Sequence, residues 1–106
     1  MIEIDQQGFA AAFADGARVI DVREPQEYVT GHVPGAQLIP LGTVAANVGT
    51  IKGAGTVYVI CASGNRSRTA AKTLIDAGLD ALSVQGGTAA WVAAGRPVVN
   101  GPHALA

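Results

Sequence analysis

The sequence predicts an α/β protein, with helices layered on both faces of a mostly parallel sheet. Three observations carry this. Short β-type runs alternate with helical ones along the 106 residues. One run, 56–60 (TVYVI), is nearly all apolar, with β-branched residues at four of five positions. That is the pattern of a central strand covered on both faces. Glycines follow the helical stretches, as at Gly16, Gly78 and Gly95.

The elements follow in chain order. Residues 2–4 read as an edge strand. Residues 6–15 read as a helix with Phe9, Ala12 and Phe13 on one side. Residues 18–22 (RVIDV) form the next strand. Pro25 suits the first turn of a short helix through Val29, with Gly31 beyond it. Residues 36–39 are a short strand closed by Pro40, and 41–48 a weakly patterned helix. After the strand at 56–60, residues 67–77 form a helix burying Ala70, Ala71, Leu74 and Ile75. Residues 81–84 are a strand, and 88–94 a helix that buries Trp91. The tail, 96–106, holds two prolines and a glycine and is expected to be irregular.

Hydrophobic residues make up 49% and charged residues 14%, which excludes a disordered chain. Residues 1–106 are expected to fold as a single domain, since no repeat or linker divides them. The net charge of -1 argues against nucleic acid as a partner. No apolar run is long enough to span a membrane. Residues 1–17 lack a signal-peptide pattern, so a cytoplasmic protein is expected, as a monomer or weak homodimer. Charge is segregated, at -4 over residues 1–27 and +4 over 28–75, a stretch without a single acid.

The lone cysteine, Cys61, lies in that acid-free stretch and has no internal disulfide partner. It opens the run Cys61, Ala62, Ser63, Gly64, Asn65, Arg66, Ser67, between the clearest strand and the clearest helix. Sites in open parallel sheets gather beyond the carboxyl ends of strands. A helix start offers free amides and the positive end of its dipole. Small residues and Gly64 let the chain curl around the sulfur, with Ser67, or else Asn65, as the expected N-cap. Such a loop lowers the thiol pKa, stabilises an anion carried on the sulfur and forms a cup for an incoming anion.

Four ordered segments now resemble a known family. They are Asp21-Val22-Arg23-Glu24 with Glu27-Tyr28, then residues 31–36 (GHVPGA), then the loop 61–67, then Gly86-Gly87 with Trp91 and residues 95–98 (GRPV). The chain resembles a single-domain rhodanese, a sulfurtransferase. The resemblance implies three layers around a five-stranded parallel sheet of order 3-2-4-5-1, with strands near 36–39, 18–22, 56–60, 81–84 and 2–4. It makes Cys61 the catalytic residue, cycling between thiolate and persulfide, and residues 62–67 the cradle for the outer sulfur. Asp21 and Arg23 match positions that brace the site, and Trp91 matches a packing position.

The implied reaction moves a sulfane sulfur from thiosulfate, a polysulfide or a thiol persulfide to cyanide or a thiol, with no metal or organic cofactor. With one cysteine the persulfide cannot resolve inside the chain, so the sulfur must leave to another molecule, small or protein. Arg66 is expected to bind donor or brace the loop, and Arg68 to attract anionic donors. Lys72 is read as solvated, His32 as a structural hydrogen-bonding residue, His103 as incidental, and Tyr58 and Trp91 as core. Thiosulfate-specific relatives often carry a basic residue just after the cysteine, whereas Ala62 and Ser63 stand here, so a thiol persulfide is expected to compete well as donor. A sulfur-carrier or binding module is the main alternative. A cysteine phosphatase or arsenate reductase is the lesser one, because only four residues separate Cys61 from Arg66, where that chemistry uses five.

Overall fold

The computed structural model describes residues 2–53 and 55–105. The ends of the expected domain, Met1 and Ala106, lie outside the described residues. The strands are β1 (Glu3–Ile4), β2 (Arg18–Asp21), β3 (Gln37–Leu38), β4 (Val57–Ile60) and β5 (Ala81–Val84). All pair in parallel, in the order β1-β5-β4-β2-β3, which is the expected order read from the other edge. The helices are α1 (Gln6–Ala14), α2 (Pro25–Tyr28), α3 (Val48–Ile51), α4 (Asn65–Asp76) and α5 (Gly87–Ala93).

Period-two alternation sends the apolar side chains of the central strands to two separate cores. Ile20, Val57, Val59 and Cys61 pack with Ile51, Ala70, Ala71 and Leu74 on the α3–α4 face. Val19, Ile60 and Val84 pack with Phe9 and Trp91 on the α1–α5 face. There Phe9 and Phe13 each meet Trp91 edge-on at 5.2 Å. Each fully buried aromatic or large aliphatic side chain contributes about 1.5–3 kcal/mol. Tyr58, expected in the core, is only half-buried and leans on Phe9.

Two helices differ from expectation. Residues 41–48 do not form one helix. Leu41–Thr43 and Ala45–Asn47 are successive 3-10 turns, and the α-helical turn α3 begins only at Val48. Gly42, Gly49 and β-branched Thr43, Val44 and Val48 give this stretch little helix propensity. Helix α4 begins at Asn65, two residues before the expected start. Its N-cap is Gly64, at φ +111°, not Ser67 or Asn65.

The tail after α5 is irregular but anchored. His32 and Val99 exchange backbone hydrogen bonds of 2.9 and 2.8 Å, and the Trp91 indole donates to the Pro97 carbonyl at 2.7 Å. The buried His32 ring stacks on Tyr28 with centroids 3.6 Å apart. Its nitrogens face the carbonyls of Tyr28 (3.0 Å) and His103 (2.9 Å). The His103 side chain is exposed, so only its carbonyl takes part.

Candidate active site

The parallel register aligns the ends of β2, β4 and β5. Asp21 sits beside Ile60, and Val59 beside Ser83. The loops after these strands therefore meet at one end of the sheet. Cys61 is the first residue past β4 and is 1% exposed. The Gly64 amide donates to Cys61 Sγ at 3.0 Å, and Ser67 Oγ lies 3.4 Å from the sulfur. Ser67 Oγ is in turn 2.7 Å from Ser83 Oγ, and both serines are fully buried. With Ser83 donating to Ser67, the Ser67 hydroxyl is free to donate to the sulfur.

Burial pushes the Cys61 thiol up. The Ser67 hydroxyl and the amides of Ser67, Gly64 and Ser63 more than offset this, and hold its pKa below the ordinary 9.0. The early start of α4 explains the geometry. Placed at the third helical position, Ser67 has an amide without a helical acceptor and a hydroxyl that faces inward to the sulfur. The Ser67→Ala variant is expected to move the pH profile of Cys61 alkylation to higher pH, while Gly64 and Ser63 still hold the sulfur. An unshifted profile would mean that the hydroxyl does not donate to the thiolate.

A second set of bonds fixes the other side of the loop. The Thr88 amide and hydroxyl donate to the Cys61 carbonyl at 2.8 and 3.1 Å, and the Ala89 amide to the Ala62 carbonyl at 3.0 Å. These carbonyls face α5, while the amides of Ser63, Gly64 and Ser67 face the sulfur. Gly87, at φ +59°, permits this approach. A Cβ there would lie 2.6 Å from both carbonyl oxygens.

The arginines divide. Arg23 is 5% exposed and pairs with the fully buried Asp21 through Nε and Nη2, and Nη2 also donates to the Gly31 carbonyl at 2.9 Å. Arg66 makes a two-pronged pair with Glu27 at 2.7 and 2.8 Å. That pair ties the first turn of α4 to α2, so Arg66 is occupied in holding the loop. Arg68 is exposed and reaches Asn65 at 2.7 Å and Glu3 at 3.8 Å. Lys72 is exposed and pairs loosely with Asp76.

Three residues were not singled out from the sequence. Glu27 stood in a matched segment without a role, and its partner lies 39 residues away. Ser83 left a faint signal, as the one polar residue in a buried strand, ALSV. Thr88 left none.

Glu27 titrates at about 2 instead of 4.5, because Arg66 hydrogen-bonds its carboxylate, with help from the Glu24 amide. The depressed folded-state pKa means that this pair stabilises the protein fully above pH 4.5 and is lost as pH falls toward 2. Both side chains are about one-third exposed, which limits the contribution to about 1 kcal/mol or less. Urea denaturation of Glu27→Gln at pH 6 and pH 3 is expected to show a smaller acid loss than the parent. An equal loss would place the acid sensitivity elsewhere.

Comparison with known proteins agrees with this architecture. A family model described as "Rhodanese-like domain" matches residues 5–94. Thiosulfate sulfurtransferase GlpE of Pseudomonas aeruginosa is 35% identical over 78 residues, which are 73% of this chain and 71% of that protein. YrkF of Bacillus subtilis, whose name provisionally makes it a sulfur carrier, is 40% identical over 60 residues. Those residues are 57% of this chain but only 32% of YrkF. A crystal structure of a rhodanese-related protein from Thermoplasma volcanium superposes with a TM-score of 0.87 at 31% identity, covering 93% of this chain and 98% of that one. Among the described residues no helix is long and apolar enough to cross a membrane. A cysteine held at a helix start in a five-stranded parallel sheet, the matching family model and these relatives together mean that the chain belongs to the rhodanese-like domain family.

Proposed function

We propose that the protein is a cytoplasmic sulfurtransferase whose rhodanese-like domain carries a sulfane sulfur on Cys61 as a persulfide. The observation that carries this reading is the Gly64 amide, 3.0 Å from Cys61 Sγ at the start of α4. It marks a ring of donors able to hold negative charge on sulfur. The Cys61 thiolate attacks the outer sulfur of the donor. With thiosulfate, the sulfur–sulfur bond of the donor breaks, sulfite leaves with the bonding pair, and Cys61 bears the transferred sulfur. The thiolate of an acceptor then bonds to that outer sulfur, and the bond to Cys61 Sγ breaks to restore the enzyme thiolate. The product carries away the sulfur and any proton on it. Two half-reactions of this kind predict ping-pong kinetics.

The loop 62–67 supplies the donors, the Arg66–Glu27 pair braces it against α2, and the Asp21–Arg23 pair supports it from β2. Arg68 has no part in this reading. Four residues between Cys61 and Arg66, together with the capture of Arg66 by Glu27, argue against phosphoryl transfer. Delivery of the sulfur to a protein acceptor is the second reading, favoured by the similarity to YrkF.

The test is the intact mass after brief incubation with thiosulfate and, separately, with glutathione persulfide. The expected result is the gain of one sulfur, removed by cyanide or thiol. No gain with either donor in folded protein would overturn small-molecule loading and direct attention to protein delivery.

A further inference from the structure

Gln6 is the first residue of α1, far along the chain from the cysteine loop. Asp5 caps that helix by accepting from the Gly8 amide at 2.7 Å, so the base of the Gln6 side chain is fixed. Its carboxamide reaches the turn that leads from β5 into α5. Nε2 donates to the Gln85 carbonyl at 2.7 Å and to the Gly87 carbonyl at 3.2 Å. Oε1 is buried and has no hydrogen-bond partner among the described residues. Buried polar atoms are ordinarily served. Flipping the amide would only set Oε1 against two carbonyl oxygens. Gln6 is therefore held by its donors alone, and both are spent on one turn.

That turn needs outside bonds and lies against the cysteine loop. Gly86 and Gly87 both have positive φ, at +76° and +59°. Glycine loses more freedom on folding than any other residue, so two in succession do not hold a turn by themselves. The Gly86 nitrogen would lie 3.4 Å from a Cβ on Gly64, whose own amide donates to Cys61 Sγ. Directly after the turn, the Thr88 and Ala89 amides donate to the Cys61 and Ala62 carbonyls. A trans peptide is planar, with its carbonyl and its amide pointing opposite ways. Holding the Ala62 carbonyl toward α5 thus aims the Ser63 amide of the same peptide away from α5. That amide is one of the donors that hold the Cys61 pKa down against burial.

From this we propose that Gln6 is a positioning residue for Cys61. It pins the turn at 85–87, the turn fixes the start of α5, and α5 sets the peptides that aim amides at the sulfur. Gln6 acts on the sulfur only through this turn. The inference rests on the sulfurtransferase reading for its effect on turnover, but the positioning itself is measured on the free thiol.

The test is Gln6→Met, which keeps side-chain length and net charge and removes both donors. Gln7→Met is the control, because Gln7 is exposed and next to Gln6 in the same helical turn. In Gln6→Met, hydrogen exchange at the Thr88 and Ala89 amides is expected to quicken about tenfold, as the loss of a net hydrogen bond from local stability implies. The midpoint of Cys61 alkylation against pH is expected to rise by about half a unit, a roughly threefold loss of thiolate below it. Lowered stability alone would reduce the reactive fraction without moving this midpoint. Loading from thiosulfate should fall by the same factor below the midpoint and return to the parent rate above it. An unmoved midpoint would overturn the proposal, even if exchange quickens. So would a midpoint that moves without faster exchange at Thr88 and Ala89, or equal changes in Gln7→Met. A moved midpoint in protein that gains no sulfur from thiosulfate or glutathione persulfide would uphold the positioning role while overturning small-molecule loading.

Discussion

Replacing Cys61 by serine is expected to abolish sulfur loading and lower turnover roughly 10³-fold or more, to background. The reason is chemical. A serine hydroxyl does not ionise near neutral pH, and oxygen does not form a stable bond to sulfane sulfur under these conditions. The fold should survive. Serine is close to cysteine in size, and its oxygen can take the place of Sγ opposite the Gly64 amide and the Ser67 hydroxyl. A thiol-to-hydroxyl change in a hydrogen-bonded site costs about 1–2 kcal/mol at most. Intact mass with each donor and a urea denaturation curve check both halves of this expectation. Retained turnover in the serine variant would remove Cys61 from the chemistry.

The second large effect is expected at Gly87. An alanine there meets the Cys61 and Ala62 carbonyl oxygens at 2.6 Å and must also hold φ at +59°. Backbone cannot rotate away as a side chain can, so either the 61–62 peptide or the start of α5 must move. Strain at this φ together with overpacking gives a loss of about 2–5 kcal/mol. Gly95 provides the control. It has φ +76°, and a Cβ added there would meet nothing within 4 Å, so Gly95→Ala should cost only about 1 kcal/mol. The difference between the two variants measures the close approach of α5 to the loop. Activity should fall further than stability at Gly87, because the displaced peptide carries the reactive sulfur. Equal costs at the two glycines would mean that the loop yields freely.

Much of the fold was legible because the informative signals are local. The β4 run TVYVI and the glycine-ended helices depend on neighbours in sequence, and they placed the strands and most of the helices, while the strand order came from the family resemblance. The start of α4 was misplaced for an equally physical reason. Serine and asparagine are preferred caps, yet here the first helical turn is set by the demand of the sulfur for donors, and Gly64 turns the chain early. The stretch 41–48 carried only a weak helical pattern, and in place of the helix expected there two 3-10 turns lead into α3. The site was legible along the chain and illegible across it. Cys61, Gly64 and Ser67 lie in one loop and could be read together. The partners that complete the arrangement come from distant segments, namely Glu27 for Arg66, Ser83 for Ser67, and Thr88 for the Cys61 carbonyl. Segregated charge meets in the fold, where the acid-rich segment 1–27 supplies the carboxylates that pair with Arg66 and Arg68. It could not say which acid meets which base.

The anchored tail bears on where this unit ends. The family model's match stops at Ala94, but folding interdependence does not. The Pro97 carbonyl accepts from the Trp91 indole, Val99 is zipped to His32, and the His103 carbonyl closes over the His32 ring. A chain cut after Ala94 would take away the acceptors of the Trp91 indole and the His32 ring together with the segment that covers them. Water would replace the lost carbonyls and wet the neighbouring Trp91 and His32 rings, which are now buried. Residues 95–105 thus behave as a keystone laid after the arch, late in sequence but required for the interior to remain dry.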